Sequence, residues 1–220
     1  MNADPRSEHP FGGYGEARAF RTKDAWRDTL SAARRAVPAA TRAAEAEALT
    51  LILRELAGEL AGATVCAYLP VRTEPGSIAC LESLREAGVR VLLPVVVSVG
   101  PLDWAEFTGP QGLRRGPFGL REPASPRLGV EAIGRASLLL VPALAVDRAG
   151  VRLGRGGGYY DRSLPGAHRA ATVAAVVRDE EHVDVPLPAE PHDMLMTSVL
   201  TPHGGLRRLP QAGDSASTFA

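Results

Sequence analysis

The chain has 220 residues, 45% of them hydrophobic and 23% charged, values close to globular averages that exclude a wholly disordered protein and allow one substantial core. Its 25 basic and 25 acidic residues cancel, so it lacks the basic field expected of a nucleic-acid partner, and any anion site must be local. The two cysteines, Cys66 and Cys80, match neither a C-x-x-C nor a zinc spacing and read as reduced, buried thiols of a cytoplasmic protein. Acids, Pro5 and Pro10 stand where a signal peptide needs an apolar run, and no stretch approaches about eighteen uninterrupted apolar residues, so neither export nor a membrane is expected.

Residues 1–20 are rich in Gly, Pro and charge without periodicity and read as a flexible arm. From Thr22 the pattern turns helical, with Ala25, Trp26, Thr29, Leu30 and Ala33 on one face, until Pro38 breaks it before an Ala- and Leu-rich helix at roughly 41–61. Thr64 to Leu69 is a short buried-strand pattern ended by Pro70. Ser77 is placed to cap a helix through Ala87, Gly88 to stop it, and Val89 to Val97 resumes strand character, which makes a β-α-β unit. A loop-rich middle at 98–133 precedes another buried strand, Ser137 to Val141. A helix is expected to begin near Tyr159, and strands at Ala171 to Val177 and Met194 to Leu200; from His203 to the end the composition again reads as a flexible tail.

Strands that are continuous apolar runs and alternate with helices imply an α/β fold: a single three-layer domain over 21–202 with a mostly parallel central sheet flanked by helices, between tails at 1–20 and 203–220. Ligands of such sheets sit beyond the carboxyl ends of the strands, which is where the loop after Val141 falls.

That loop leads to GVRLGRGGGYYDR, residues 150–162. Glycines at 154, 156, 157 and 158 can take positive φ and bring backbone N–H groups to an anion with no Cβ in the way, and a following helix adds its positive end. Arg152, Arg155 and Arg162 add guanidinium forks suited to phosphate, whereas Asp161 opposes an anion unless a cation such as magnesium bridges the two. The alternative is a glycine-rich surface turn with solvated arginines and Asp161 paired to Arg162. Neither G-x-G-x-x-G nor a P-loop ending in G-K-[ST] is present. Lys23 is the one lysine among the 25 basic residues, either a leftover on a solvated face or a point charge with a task.

The string RLGRGGGYYDR resembles the signature of the 5-formyltetrahydrofolate cyclo-ligase family, also called 5,10-methenyltetrahydrofolate synthetase. Lys23-Asp-Ala-Trp-Arg27 is similar to the family's N-terminal nucleotide element, Tyr68-Leu-Pro with Glu74 to its folate-binding stretch, Gly116 to Pro123 to its central motif G-x-x-G-[IL]-x-E-P, and His192-Asp193 to its late metal-side acid. The likeness runs from about 22 to 202. It departs after Glu74, where Pro75-Gly76-Ser77 replace the usual aliphatic residue, Asp and Thr, and Trp104 lies near the place of a folate-contacting aromatic in a register too loose to assign.

The resemblance implies ATP- and Mg²⁺-dependent cyclisation of 5-formyltetrahydrofolate to 5,10-methenyltetrahydrofolate; small-molecule partners only and a monomeric chain are expected. Lys23, Arg155 and Tyr160 would be catalytic. Lys23, Arg27, Arg152, Leu153, Gly154, Arg155, Gly156, Gly157, Gly158, Tyr159 and Tyr160 would hold ATP. Leu69, Glu74, Arg155, Gly156, Gly157, Gly158 and Tyr159 would face the folate, and Asp161 and Asp193 would serve the metal. Each has a plainer counterpart: Glu74 a solvated loop acid, the tyrosines core aromatics, Asp193 a turn residue. A non-catalytic nucleotide- or folate-binding regulator and an isomerase of phosphorylated sugars are the competing functions, the second leaving the glycine string unexplained.

Overall fold

The structure, a computed structural model, describes residues 22–97, 99–116, 119–191 and 193–211. The expected N-terminal arm, His192 and the residues beyond 211 lie outside these. The first helix, α1 (Lys23–Ala36), is capped by the Thr22 hydroxyl, which accepts from the Ala25 N–H, and it stops ahead of Pro38. Pro38 then occupies the cap position of α2 (Ala39–Glu59), where its fixed φ suits a helix start, so this helix begins two residues before the sequence pattern suggests. The β-α-β unit follows: β1 (Thr64–Cys66), α3 (Ile78–Glu86) and β2 (Arg90–Val95), with β1 and β2 parallel. Ser77 does stand at the cap of α3, but its hydroxyl faces the Cys80 thiol at 3.8 Å rather than the helix N–H groups.

The stretch 98–133, expected to be loop-rich, contains β3 (Asp103–Glu106) and a small hairpin of β4 (Leu113–Arg115) and β5 (Arg121–Pro123). Beyond it come β6 (Leu138–Pro142), β7 (Ala145–Asp147), β8 (Arg152–Leu153), the short α4 (Tyr159–Ser163), β9 (Thr172–Val176), β10 (His182–Val183), β11 (Ser198–Thr201) and β12 (Gly205–Arg208). Among the described residues the main sheet has seven strands in the order β12-β11-β9-β6-β1-β2-β3; its five inner strands are parallel and both edges antiparallel. The fold is therefore the α/β domain with a mostly parallel sheet that the apolar runs predict.

In-register rows divide the sheet into two faces. Leu92, Cys66, Leu139 and Val173 are successive partners on one face, packed with Ile133, Leu164 and Met196. Val91, Val65 and Leu138 are partners on the other, covered by Leu49, Leu53 and Ala57 of α2 and by Leu81 and Leu84 of α3. A third cluster seats α1 on the small sheet β10-β7-β8 through Trp26, Leu30, Leu144, Val151 and Leu187. Both cysteines are free and buried, and burial pushes the Cys66 thiol up to about 12, which makes it a core residue rather than a nucleophile.

The C-terminal tail expected from His203 is corrected by the structure. Residues Gly205 to Arg208 pair antiparallel with β11, and Leu209 is buried. The cause is Asp179, whose carboxylate collects the Thr201 hydroxyl (2.6 Å), the Gly204 N–H (3.1 Å) and the His203 ring (2.7 Å) and so folds the connection back. That partner is distant in sequence, and a composition of Gly, Arg and Pro does not announce it.

Candidate functional site

The carboxyl ends of β1, β2 and β6 open onto a cavity of about 980 Å³, at the upper end of the roughly 300–1,000 Å³ usual for ligand sites. Tyr68 and Leu69 enter it after β1, Pro94 and Val96 from the end of β2, and Pro142 and Ala143 from the end of β6. The glycine loop forms the facing wall, the first turn of α1 one side, and Pro188, Ala189, Glu190 and Asp193 the rim.

Helix α1 reaches the cavity because its far end is anchored. Trp26, Leu30 and Arg34, spaced four apart, are buried, and Arg34 is fixed by Glu181 (2.6 Å) and by the Ala143 carbonyl (2.5 Å). This leaves Lys23 and Arg27 pointing along the edge of the same stripe into the opening. Arg27 donates through Nε to the Gly154 carbonyl at 3.1 Å and through its terminal nitrogen to Asp24 at 2.6 Å, tying the helix to the loop. The Lys23 ammonium, 20% exposed, sits 2.8 Å from Asp193 and 3.2 Å from Glu190. Burial alone would lower its pKa, but the two carboxylates outweigh that and hold it above the ordinary lysine value.

Within the loop only some glycines have the expected conformation. Gly156 and Gly158 have φ of +94° and +67°, while Gly154 and Gly157 do not lie in the left-handed region. The need for a missing Cβ at 156 and 158 is thus conformational. At Gly157 it is spatial: an added Cβ would lie 3.1 Å from the Tyr159 ring. The helix after the loop, α4, spans five residues, so its macrodipole is a minor contribution.

Asp161 does not pair with Arg162, its neighbour in sequence. It accepts from Arg152, whose buried guanidinium also lies 5.8 Å from the centre of the Tyr160 ring. Arg162 instead reaches the carbonyls of Gly100 (3.1 Å) and Gly157 (3.0 Å) and stays off the cavity wall. The Tyr160 hydroxyl is buried and has no hydrogen-bond partner among the described residues. Burial first, then the nearby Glu74 carboxylate, raise its pKa far above the ordinary tyrosine value, so it stays a neutral donor.

Across the cavity, Glu74 is held in a tight turn. Its N–H bonds the Val71 carbonyl at 3.1 Å, and its carboxylate accepts the Val71 N–H at 3.0 Å. Arg72, inside the turn, has φ of +55°, a conformation uncommon for a side chain of this size. The other Glu74 oxygen accepts from Arg155 Nε at 3.1 Å. Glu74 is therefore a buried, directed acceptor and not a solvated loop acid.

All the residues singled out in the sequence for ATP, folate or metal line this one cavity: Lys23, Arg27, Leu69, Glu74, Arg152 to Asp161, and Asp193. Trp104 does not; on β3, its side chain is fully buried in the core on one face of the sheet. The sequence reading missed Val96, Leu102 and Leu120, which make part of the wall apolar, and Glu190, the second partner of Lys23. Only Glu190 left a sequence signal, an acid three residues before Asp193.

Fold and site together define an α/β protein with one cavity between a glycine-arginine loop on one side and a buried carboxylate among apolar side chains on the other. The model of the 5-formyltetrahydrofolate cyclo-ligase family matches residues 19–202, and the chain belongs to that family. A 5-formyltetrahydrofolate cyclo-ligase of Mycolicibacterium smegmatis is 53% identical over 191 residues, covering 84% of this chain and 96% of that protein. The Escherichia coli K12 protein of the same name is 31% identical over 141 residues, 63% of this chain and 78% of its own. The fold also matches the solution structure of Aquifex aeolicus 5,10-methenyltetrahydrofolate synthetase with a TM-score of 0.68 at 24% identity, covering 86% of this chain and 94% of that one.

Proposed function

We propose that the protein cyclises 5-formyltetrahydrofolate to 5,10-methenyltetrahydrofolate at the expense of ATP, in the cytoplasm and as a monomer. The carrying observation is the apposition of the glycine loop and Glu74 across one cavity, bridged by Arg155 at 3.1 Å. Such an apposition lets a phosphoryl donor and an acceptor meet in line.

The formyl oxygen is a poor leaving group. In the proposed reaction its lone pair attacks the γ-phosphorus and the bond to the β-phosphate oxygen breaks, releasing ADP. N10 of the same folate then attacks the activated formyl carbon, the carbon–oxygen bond breaks, N10 loses its proton and phosphate departs. The protein's work is positioning and charge neutralisation. Backbone N–H groups at Gly156 to Gly158, with Lys23, Arg27 and Arg155, hold the phosphates. Arg152 braces the loop through Asp161. Glu74 accepts from pterin N–H groups, Leu69 and its apolar neighbours enclose the ring, and Tyr160, whose hydroxyl is buried, backs the loop with its ring.

Asp161 and Asp193 both face the cavity, and among the described residues no group of three or more potential ligands gathers into a resident metal site. One or two carboxylates with nucleotide oxygens and water suit magnesium, so the residues fit a metal that arrives with ATP. When bound it would neutralise charge on the phosphate oxygens. The test is the purified protein with ATP, Mg²⁺ and 5-formyltetrahydrofolate, followed by the near-ultraviolet band of the methenyl product and by ADP release. Ligand binding with no methenyl product would replace this reading with that of a binding protein.

A further inference from the structure

Of the five basic side chains that line the cavity among the described residues, Arg121 comes from β5, and the other four, on α1 and the glycine loop, have partners that differ in kind. Lys23 is held by Asp193 and Glu190, Arg27 by Asp24, and Arg152 by Asp161, all on the phosphate side. Arg155 is held by Glu74, from the opposite side and 81 positions away in the sequence. The two partners are unequal in freedom. Glu74 is 8% exposed and locked by both hydrogen bonds of its turn. The Arg155 side chain is 42% exposed and stands on a backbone flanked by Gly154 and Gly156, the latter at φ +94°. If this pair opens, Arg155 is the member that moves.

We propose that Arg155 is an exchangeable latch that couples the two ligands. Its guanidinium and a ring bearing N–H donors compete for the same Glu74 carboxylate. A bound folate therefore displaces Arg155, and the nearest compensation for a guanidinium rooted in the glycine loop is a phosphate on that loop. Each ligand raises the affinity for the other, because each relieves the cost the other meets in breaking the Arg155–Glu74 pair, and linkage makes the two effects equal. The inference rests on the assignment of folate and nucleotide to the two sides, and adds that Arg155 belongs to both in turn. It also gives the loop a reason to use arginine here, since its long fork reaches a carboxylate across the cavity as well as a phosphate beside it.

The test is calorimetric binding without turnover. A non-hydrolysable ATP analogue with Mg²⁺ and the unreactive 5-methyltetrahydrofolate are titrated separately and then each in the presence of the other. In the parent protein each should tighten the other by about five- to tenfold, at the low end of typical couplings. In Glu74→Gln, where the guanidinium loses its ionic partner, the analogue alone should bind several-fold tighter than to the parent. In Arg155→Gln, where Glu74 loses its competitor, 5-methyltetrahydrofolate alone should bind tighter, and the coupling should vanish. A side chain that only contacts ligand predicts the reverse, weaker binding on its removal. Independent binding of the two ligands to the parent, or weaker folate binding to Arg155→Gln, overturns the latch and leaves the proposed reaction standing. Failure of the parent to bind one of the ligands overturns both. Arg155 is solvent-facing, so its variant decides the matter even if Glu74→Gln does not fold.

Discussion

Gly156→Ala isolates the part of the loop that depends on backbone conformation. An added Cβ at this position would lie 3.4 Å from the Arg27 guanidinium carbon, an ordinary contact, so space is not the obstacle. The obstacle is φ, which at +94° lies outside even the small left-handed region open to alanine. Holding a non-glycine residue there costs about 1–3 kcal/mol. An exposed loop escapes that cost by rearranging, which turns its N–H groups away from the phosphate. We therefore expect nucleotide affinity to fall by about 5- to 150-fold, the same free energy expressed as binding, with thermal unfolding almost unchanged. Gly157→Ala is the internal control. Its φ lies outside the left-handed region, and its Cβ meets only the Tyr159 ring at 3.1 Å, a contact eased by a small ring movement, so its loss should be clearly smaller. Both are measured by titrating the Mg²⁺-bound ATP analogue and by thermal melts. Equal affinity in Gly156→Ala and the parent would falsify the cradle, and a larger loss in Gly157→Ala would locate its critical position elsewhere.

Lys23→Arg keeps the charge but replaces a compact ammonium lodged between Asp193 and Glu190 with a broader fork; turnover should drop at least about tenfold, roughly 1.4 kcal/mol of transition-state stabilisation, with little change in melting temperature, and full activity would return Lys23 to a surface role. Tyr160→Phe removes a buried hydroxyl that has no partner among the described residues while keeping the ring, so the protein should melt about 2–4 °C higher, near 1 kcal/mol; a lower melting temperature would mean that the hydroxyl is satisfied in solution. His203 and Asp179 make a pH-dependent clasp. Hydrogen bonding to Asp179 raises the His203 pKa above 6.5, a contribution present below that value and lost as pH rises through the raised one. The Asp179 pKa is lowered from 3.8, because bonds to Thr201 and His203 outweigh the opposing effect of burial; its contribution is present above 3.8 and fades as pH falls through the lowered value. His203→Ala should then lower the melting temperature by about 1–2 °C near pH 5.5, as an exposed pair worth about 0.5 kcal/mol would, and by less near pH 8.5; equal effects at both would discount the charge.

The apolar runs at Thr64, Val89, Ser137 and Ala171 were legible as buried parallel strands, because a strand covered on both faces needs no polar alternation. With them came the place of the site, since the loop after Val141 leaves the carboxyl end of β6. Density of glycine and arginine marked residues 152–161 as a candidate anion loop, and the lone Lys23 marked the helix that lines the same cavity. Short or antiparallel elements were not legible. β7, β8 and β10 have two or three residues each, and β12 exists because Asp179 folds the backbone back onto β11, a contact no local pattern encodes. Charge pairing was likewise invisible. Asp161 stands beside Arg162 in sequence yet binds Arg152, because a short helical turn sends neighbouring side chains in different directions. Glycine count alone could not separate Gly156 and Gly158, which need positive φ, from Gly157, which needs only room. Residue types and spacing determined which groups this protein has for its chemistry; which of them pair, and that Arg155 reaches Glu74 across the cavity, was decided by the packing of segments far apart in the sequence.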